Sequence, residues 1–525
     1  MEQHSTSGYV IGIDSSTTAT KAVVFDQAGH AVSEGRRTFP LRRPHPGWHE
    51  QDPRTWWDST RGALREAVSR IDATRITAIG ITHQRESFVC LDRHGNELRP
   101  AILWLDGRAG KQIAQYGTRS VHEISGKPPD ITPAFYKLIW LRENEPETLR
   151  DCARVVDVAG YLGHKLTGEW RTSWASADPL GLVDMATFTW SRQLLDTVGL
   201  TEDQLPELVP PGSVLGELRR DVAEELGLPA GIPIVAGAGD GQCAGLGAGV
   251  TRPGLMYANM GTALAAGTWS QEYRWSRAYR TLGGPVPGTY TLETLLSSGS
   301  YLISWFMDKF GALPGLGVGL SGEEVMEAAA AKLPPGADGL MALPYLNAAQ
   351  TPYWDPDARG AVIGWSGFHG RQHLYRALLE AVAFELRLTT DGVADDTGIP
   401  IERYLAMGGG SRSRLWMQIV ADITGRPVTI CAETETTALG AAVLAAAAVG
   451  LGGAHSIEET AQLMSRVRAT IDPDPVARSR YEDLYQVYRR LYPALKDLFV
   501  PLLAASGAGD GSTGSTGGTA GRIGG

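Results

Sequence analysis

Residues 9–26 read YVIGIDSSTTATKAVVFD. One apolar, β-branched run, residues 9–13, leads into a polar segment, residues 14–20. A second run, residues 21–25, leads out of it. This pattern predicts a β-hairpin with a wide, hydroxyl-rich tip. The tip holds Asp14, the adjacent threonines Thr17 and Thr18, and Lys21. Phosphoryl transfer uses such groups: hydroxyls and backbone N–H around phosphate, a carboxylate near a divalent metal, and a cation for developing charge. Taken alone, the stretch also fits a plain solvated turn.

The same pattern recurs after about Val250. Residues 254–258 predict a strand, 259–263 a polar turn that contains Gly261 and Thr262, and 264–268 a returning strand. Two such units, each opening one half of the chain, predict an internal duplication: two α/β domains facing each other across a cleft. Further strands are predicted at 76–82, 87–92 and 232–236. Helices are predicted at 53–70, 137–144 and 157–166, then at 299–310, 322–332, 373–388, 413–424 and 436–449.

Composition narrows the function classes. A chain of 525 residues that is 43% hydrophobic and 20% charged excludes global disorder and suggests about two to four domains. A net charge of −10 argues against a broad nucleic-acid footprint. The cysteines at 90, 152, 243 and 431 form neither a CxxC pair nor a zinc-ligand spacing, a pattern that fits a reducing cytoplasm. Residues 1–7 are polar, lack an apolar signal core and are expected to be disordered. The longest apolar stretch, 438–454, is mainly alanine and glycine, which suits a tightly packed buried helix better than a membrane span. Residues 504–525 are rich in Gly, Ser and Thr and are expected to form a disordered tail. The literal GxGxxG at 509–514 follows no strand and opens no helix, so it carries no nucleotide-binding meaning. No GxxxxGK[ST] occurs, so any nucleotide must be held by another loop.

Four more stretches carry chemistry. His83-Gln84-Arg85-Glu86 follows a strand, and an Arg fork beside a Glu can read a diol. Trp104-Leu105-Asp106-Gly107-Arg108 sets an indole face beside a carboxylate, a pairing that suits sugars. In Gly237-Ala238-Gly239-Asp240-Gly241-Gln242, glycines surround one acid that could accept a hydroxyl proton. Met407-Gly408-Gly409-Gly410-Ser411 opens a helix and would let a base or phosphate approach closely. Each also has a bland reading alone: a surface ion pair, one core tryptophan among 14, a helix cap, a glycine-rich loop.

Taken in order, these stretches resemble the FGGY family of carbohydrate kinases, within the actin-like ATPase superfamily, over about residues 8–500. GWHEQDPRTWW at 47–57, TPYWDPDARG at 351–360 and ETETTALGAA at 433–442 resemble further family segments. The family's two signature patterns are met except at Thr132, Ala134 and Trp365. The resemblance implies an α/β fold of two actin-like (RNase H-like) ATPase domains facing a central cleft. Residues 8–250 would bind the sugar and residues 251–503 the nucleotide. It implies ATP and Mg²⁺, with Asp240 as general base and Asp14 toward Mg²⁺, directly or through water. Thr17, Thr18 and Lys21 match the first phosphate loop, with Lys21 where glycerol kinases carry Arg. Gly261 and Thr262 match the second, and Gly408, Gly409 and Gly410 the adenosine loop. Arg85, Glu86, Trp104 and Asp106 match substrate-pocket positions.

For substrate, the resemblance points to phosphorylation of a primary hydroxyl of a four- or five-carbon ketose or polyol, D-xylulose first. Thr132 and Gly241 are smaller than the residues that glycerol kinases carry there, which predicts room for a longer ligand. The Met-His pair of xylulokinase pockets is absent where Gln84-Arg85 stands. A glycerol kinase and an autoinducer-type kinase remain alternatives. A catalytically silent actin-like sugar sensor is disfavoured by the retention of both Asp14 and Asp240. The expected partner is a small sugar or polyol, with no nucleic acid and no membrane, in a cytoplasmic homodimer.

Overall fold

A computed structural model describes residues 8–311, 321–346 and 348–506. The expected disordered N-terminus, residues 1–7, lies outside them. In the first half, β1 (Tyr9–Ser15), β2 (Ala19–Phe25), β3 (Ala31–Thr38), β4 (Ile76–His83), β5 (Val214–Glu217) and β6 (Pro233–Gly239) form one sheet, ordered β5-β6-β4-β1-β2-β3. β1, β2 and β3 run antiparallel, while β4 lies parallel to β1 and β6 parallel to β4. Helices α1 (Arg54–Val68), α2 (Ala134–Asn144) and α3 (Asp240–Ala248) belong to this half.

The second half repeats the plan. β7 (Leu255–Met260), β8 (Leu264–Ser270), β9 (Arg280–Gly283), β10 (Tyr290–Leu296), β11 (Arg403–Met407), β12 (Val428–Cys431) and β13 (Val467–Ile471) pair in the order β9-β10-β8-β7-β11-β12-β13. β7, β8 and β10 form the antiparallel meander, and β11 and β12 follow in parallel. An antiparallel strand closes the far edge of each sheet, β5 in the first and β13 in the second. The duplication anticipated from the two hairpins is therefore visible strand by strand. The helices are α4 (Ser300–Phe310), α5 (Arg371–Thr397), α6 (Arg414–Thr424), α7 (Thr436–Ala448) and α8 (Pro475–Ala505).

Strand alternation explains the uninterrupted apolar run of β1. Ile11 and Ile13 face a core that includes Trp56, Ala63 and Leu64 of α1, while Val10 faces a second core built on α3 and α7. α1 buries Trp56, Ser59, Thr60, Ala63, Leu64 and Ala67, the three-and-four spacing of one helical face. α7 belongs to the second half in sequence but packs against β1, β4 and α3 of the first. Its approach is close enough to demand glycine. A Cβ on Gly12 would fall 1.9 Å from the Ala438 carbonyl oxygen, and one on Gly80 2.1 Å from that of Ala441. The alanine-rich stretch is thus a buried helix, and none of the described helices is long and apolar enough to cross a membrane.

Several boundaries differ from expectation. The first hairpin tip is narrow: Ser15 pairs with Thr20, and Asp14 is already in the strand, opposite Lys21. β7 likewise extends through Asn259 and Met260. α5 runs 27 residues, well beyond the stretch expected for it. α8 extends to Ala505, past the expected start of the tail, and buries Tyr481, Tyr485, Tyr488 and Tyr492 along one face. Residues 507–525 lie outside the described residues.

Candidate active site

Asp14 and Lys21 project from the sheet face that α7 covers, since they share the alternation of Val10 and Val23. That places Lys21 against Glu435, just ahead of α7, and its ammonium forms an ion pair with the Glu435 carboxylate. Asp14 is buried, and its Oδ1 has no partner among the described residues. Burial, with the negative charge of Asp240 next in weight, pushes its carboxyl up to about 7 despite the nearby Lys21. An unanswered buried oxygen of this kind fits a divalent cation, which would supply the missing positive charge.

Asp240 is the first residue of α3, directly after β6, rather than part of a loop. Its side chain is 39% exposed, and Oδ1 lies 2.8 Å from Arg85 Nε. Arg85 Nη1 donates to both oxygens of Glu293, at 3.0 and 3.1 Å. Glu293 is fully buried and also takes Arg280 Nε at 2.8 Å and the Tyr257 hydroxyl. Arg280 Nη1 then reaches Glu86 Oε1 at 2.8 Å. A chain of ion pairs, Asp240–Arg85–Glu293–Arg280–Glu86, thus joins the two halves of the molecule. Burial pushes the Glu293 carboxyl up, but Arg85 and Arg280 reverse this and hold it near 2.

Glu86 follows β4 with a φ of +61°, in the left-handed region that non-glycine residues avoid. Strain of this kind persists only where the surroundings hold it, and it concentrates at working sites. Trp104 is 37% exposed, with its Nε1 donating to Thr17 Oγ1 at 2.9 Å, so it joins the stretch expected to meet the sugar to the hairpin tip expected to meet phosphate. Thr17 is partly buried and Thr18 exposed at the tip. Gly261 and Thr262 form the tip between β7 and β8, where their carbonyls accept N–H bonds from Ser300 and Tyr301 at the start of α4. Gly408 takes a φ of +80° directly after β11. A Cβ there would meet Asn259 Oδ1 at 2.7 Å and Gly261 N at 3.1 Å, so the two glycine loops touch. Gly409 is exposed, and Gly410 lies under Met260 and the Trp416 ring.

Both oxygens of Asp106 accept hydrogen bonds within the protein: Oδ1 from Arg108 N and Nε, and Oδ2 from His49 N and Arg108 Nη2. Asp106 is fully buried. One expectation needs correction. Gly241 does not open space for a longer ligand. A Cβ on it would fall 2.5 Å from Glu293 Oε2 and 3.1 Å from both Arg85 Nη1 and the Tyr257 hydroxyl. The ion-pair chain fills that room. Thr132 is buried and turns its hydroxyl to Asp130.

Sequence reasoning missed Tyr257, Arg280, Glu293 and Glu435. A lone acid inside the apolar strand β10, YTLETLL, was the available signal for Glu293.

Residues 9–247 match the FGGY family of carbohydrate kinases, N-terminal domain, and residues 256–449 match its C-terminal domain. The chain is 30% identical over 502 residues to a xylulose kinase of Bacillus subtilis, covering 93% of this chain and 98% of that one. It is 32% identical over 507 residues to a glycerol kinase of Thermococcus gammatolerans, covering 93% and 97%. Among solved structures, xylulose kinase from Rhodospirillum rubrum superposes with a TM-score of 0.85 at 32% identity, covering 94% and 99%.

Proposed function

The chain belongs to the FGGY family of carbohydrate kinases and is an ATP-dependent sugar kinase; on that premise we propose that it phosphorylates a primary hydroxyl of a small neutral ketose or polyol, D-xylulose-like, with Asp240 as general base. The observation that carries the reading is the half-exposed Asp240 carboxylate at the head of α3, held by Arg85 Nε at 2.8 Å and electrostatically coupled to buried Asp14. A base must stay within hydrogen-bond reach of the attacking hydroxyl, and Arg85 fixes it without consuming both of its oxygens. Asp240 takes the hydroxyl proton as the oxygen attacks the γ-phosphorus. Lys21 and the loops at Thr17, Thr18, Gly261 and Thr262 receive the phosphates, and Gly408–Gly410 receive the adenosine.

Mg²⁺ fits at Asp14, whose unpartnered oxygen asks for positive charge. When bound, it neutralises charge on the phosphate oxygens. Closure of the cleft around both substrates keeps out water, the competing acceptor.

The charge pattern favours a neutral ligand over a carboxylated one. Arg85 is answered by Asp240 and Glu293, and Arg280 by Glu86 and Glu293. Lys127 is answered by Asp178, and Lys137 donates to the carbonyls of Trp104 and Thr132. Among the described residues, three of these four cations are answered by carboxylates and only Lys137 is held by neutral carbonyls, and Arg–Glu pairs suit hydroxyls. Glycerol remains the second reading, favoured by the Arg85-Glu86 pair and by the glycerol kinase relative.

The test is ADP release with Mg-ATP against glycerol, erythritol, D-xylulose, L-xylulose, D-ribulose, L-ribulose and L-fuculose, with Asp240→Asn as the blank. Turnover on a ketopentose, absent in the blank, is expected. Turnover on glycerol alone would move the reading to glycerol kinase.

A further inference from the structure

Arg280 comes from the second half of the chain, yet its guanidinium ends on a residue of the first. It sits on β9 directly opposite Glu293 on β10. Nε bonds Glu293 Oε1, and Nη1 turns away to Glu86 Oε1. The strand that carries it is clamped to the first half at three points. Thr281 N donates to the Gly126 carbonyl at 2.9 Å, Lys127 Nζ to the Thr281 carbonyl at 2.6 Å, and Gly283 N to Asp178 Oδ2 at 2.6 Å. Arg280 is therefore fixed by its strand and by one of its carboxylate partners before it meets Glu86.

Glu86 has reason to need such a partner. Its backbone is strained, its carboxylate is nearly buried, and among the described residues its side-chain hydrogen bond uses Oε1 alone. A buried carboxylate without a fixed donor would lose both its charge and its direction. With Arg280 on Oε1, Oε2 is held in one orientation for a ligand hydroxyl.

We infer that Arg280 is a positioning residue for sugar specificity: it locks Glu86 for the ligand and joins Glu86 to Arg85 through Glu293, so that the sugar-reading groups of the first half are set by the second. This rests on the kinase reading above. The sugar site is complete only while β9 is docked, which ties recognition of the acceptor to the relation between the halves. Among the described residues the Arg280 side chain bonds Glu293 and Glu86 and neither of the glycine loops at Gly261 and Gly408, so its effect is expected on the acceptor side.

The test measures sugar KM, ATP KM and kcat for wild type, Arg280→Ala, Arg280→Lys, Glu86→Gln and the Arg280→Ala/Glu86→Gln pair, with D-xylulose as probe and the sugar panel behind it. Thermal unfolding checks that each variant is folded. Arg280→Ala is expected to raise the sugar KM about tenfold or more while the ATP KM stays within about twofold. Arg280→Lys restores part of the loss, since an ammonium can hold Glu86 but not Glu293 as well. On the Glu86→Gln background, Arg280→Ala adds little, because the pair acts as one unit. An unchanged sugar KM in folded Arg280→Ala overturns the inference alone, as does a parallel rise in both KM values. Wild type that releases no ADP with any sugar overturns the kinase reading, and the inference with it.

Discussion

Glu293 and Glu385 are both fully buried glutamates of the second half, and their carboxyls are shifted in opposite directions. Glu293 meets two guanidinium groups and stays ionised, its carboxyl near 2. Glu385 sits on α5 between the hydroxyls of Tyr345, at 2.9 Å, and Tyr488, at 2.5 Å, where burial pushes its carboxyl up to about 7. Burial is the same in both, so the partner decides. Two arginines reverse the desolvation cost, whereas two hydroxyls offset only part of it. The first glutamate belongs to the chain of charges that ends on Asp240 and Glu86. The second ties α5 to α8 and Tyr345 inside a core.

The largest expected effect breaks the first arrangement. Glu293→Gln leaves Arg85 and Arg280 buried without their shared anion and is expected to cost about 3–5 kcal/mol in urea unfolding. A loss below about 1 kcal/mol would show that the chain of ion pairs contributes little. Next comes Asp240→Asn, at the end of that chain. It should lower kcat by at least about 100-fold, with ATP binding and unfolding midpoint near wild type. Near-normal turnover would remove Asp240 from the chemistry.

The pH dependence separates the two glutamates by sign. Glu385 has a raised folded value, so its stabilisation is full below the unfolded value of 4.5 and is lost as pH rises towards about 7. Glu293 has a depressed one, so its stabilisation is full above 4.5 and is lost as pH falls towards about 2. Unfolding free energy measured between pH 4.5 and 7 should fall with rising pH by up to about 1.4 kcal/mol per unit from Glu385. Glu385→Gln should flatten that slope. An unaltered slope in the variant would mean that Glu385 is ionised after all. The smallest effect is Glu385→Gln at pH 5 itself, expected within about 1 kcal/mol of wild type because a neutral amide replaces a neutral acid.

The two-sheet plan was legible because hydrophobic alternation and glycine-bearing turns are local signals. Asp14, Asp240, Gly261 and Gly408, in or beside those turns, could be named as candidates for the same reason. Their secondary structure was less legible. Asp14 and Thr20 look like turn residues by polarity, yet the pairing of β1 with β2 keeps both in strands, where a β-branched threonine is at home. Arg280, Glu293 and Glu86 meet across more than 190 residues, and no local pattern announces such a meeting. Asp106 was named because an acid beside tryptophan suits sugars, and its bonds to Arg108, two residues on, were not anticipated. Gly241 misled, because a missing side chain implied space that Glu293 fills. α8 was not anticipated, although the tyrosines at 481, 485, 488 and 492 carry the four, three and four spacing of a helical face.

The placement of α7 bears on how the polypeptide can be cut. The sequence divides near Val250, but α7, residues 436–448, forms one face of the core beneath β1 and β4. A fragment ending at 250 would leave that face, with Val10, Val23 and Ala78, open to water. The complementary fragment would carry an alanine helix with nothing to rest on. Neither piece is a self-sufficient folding unit. Co-expressed, they should behave as a split protein whose reassembly is driven by seating one helix in a glycine-lined groove, and circular permutants should tolerate new ends at 250 only with α7 kept in the chain.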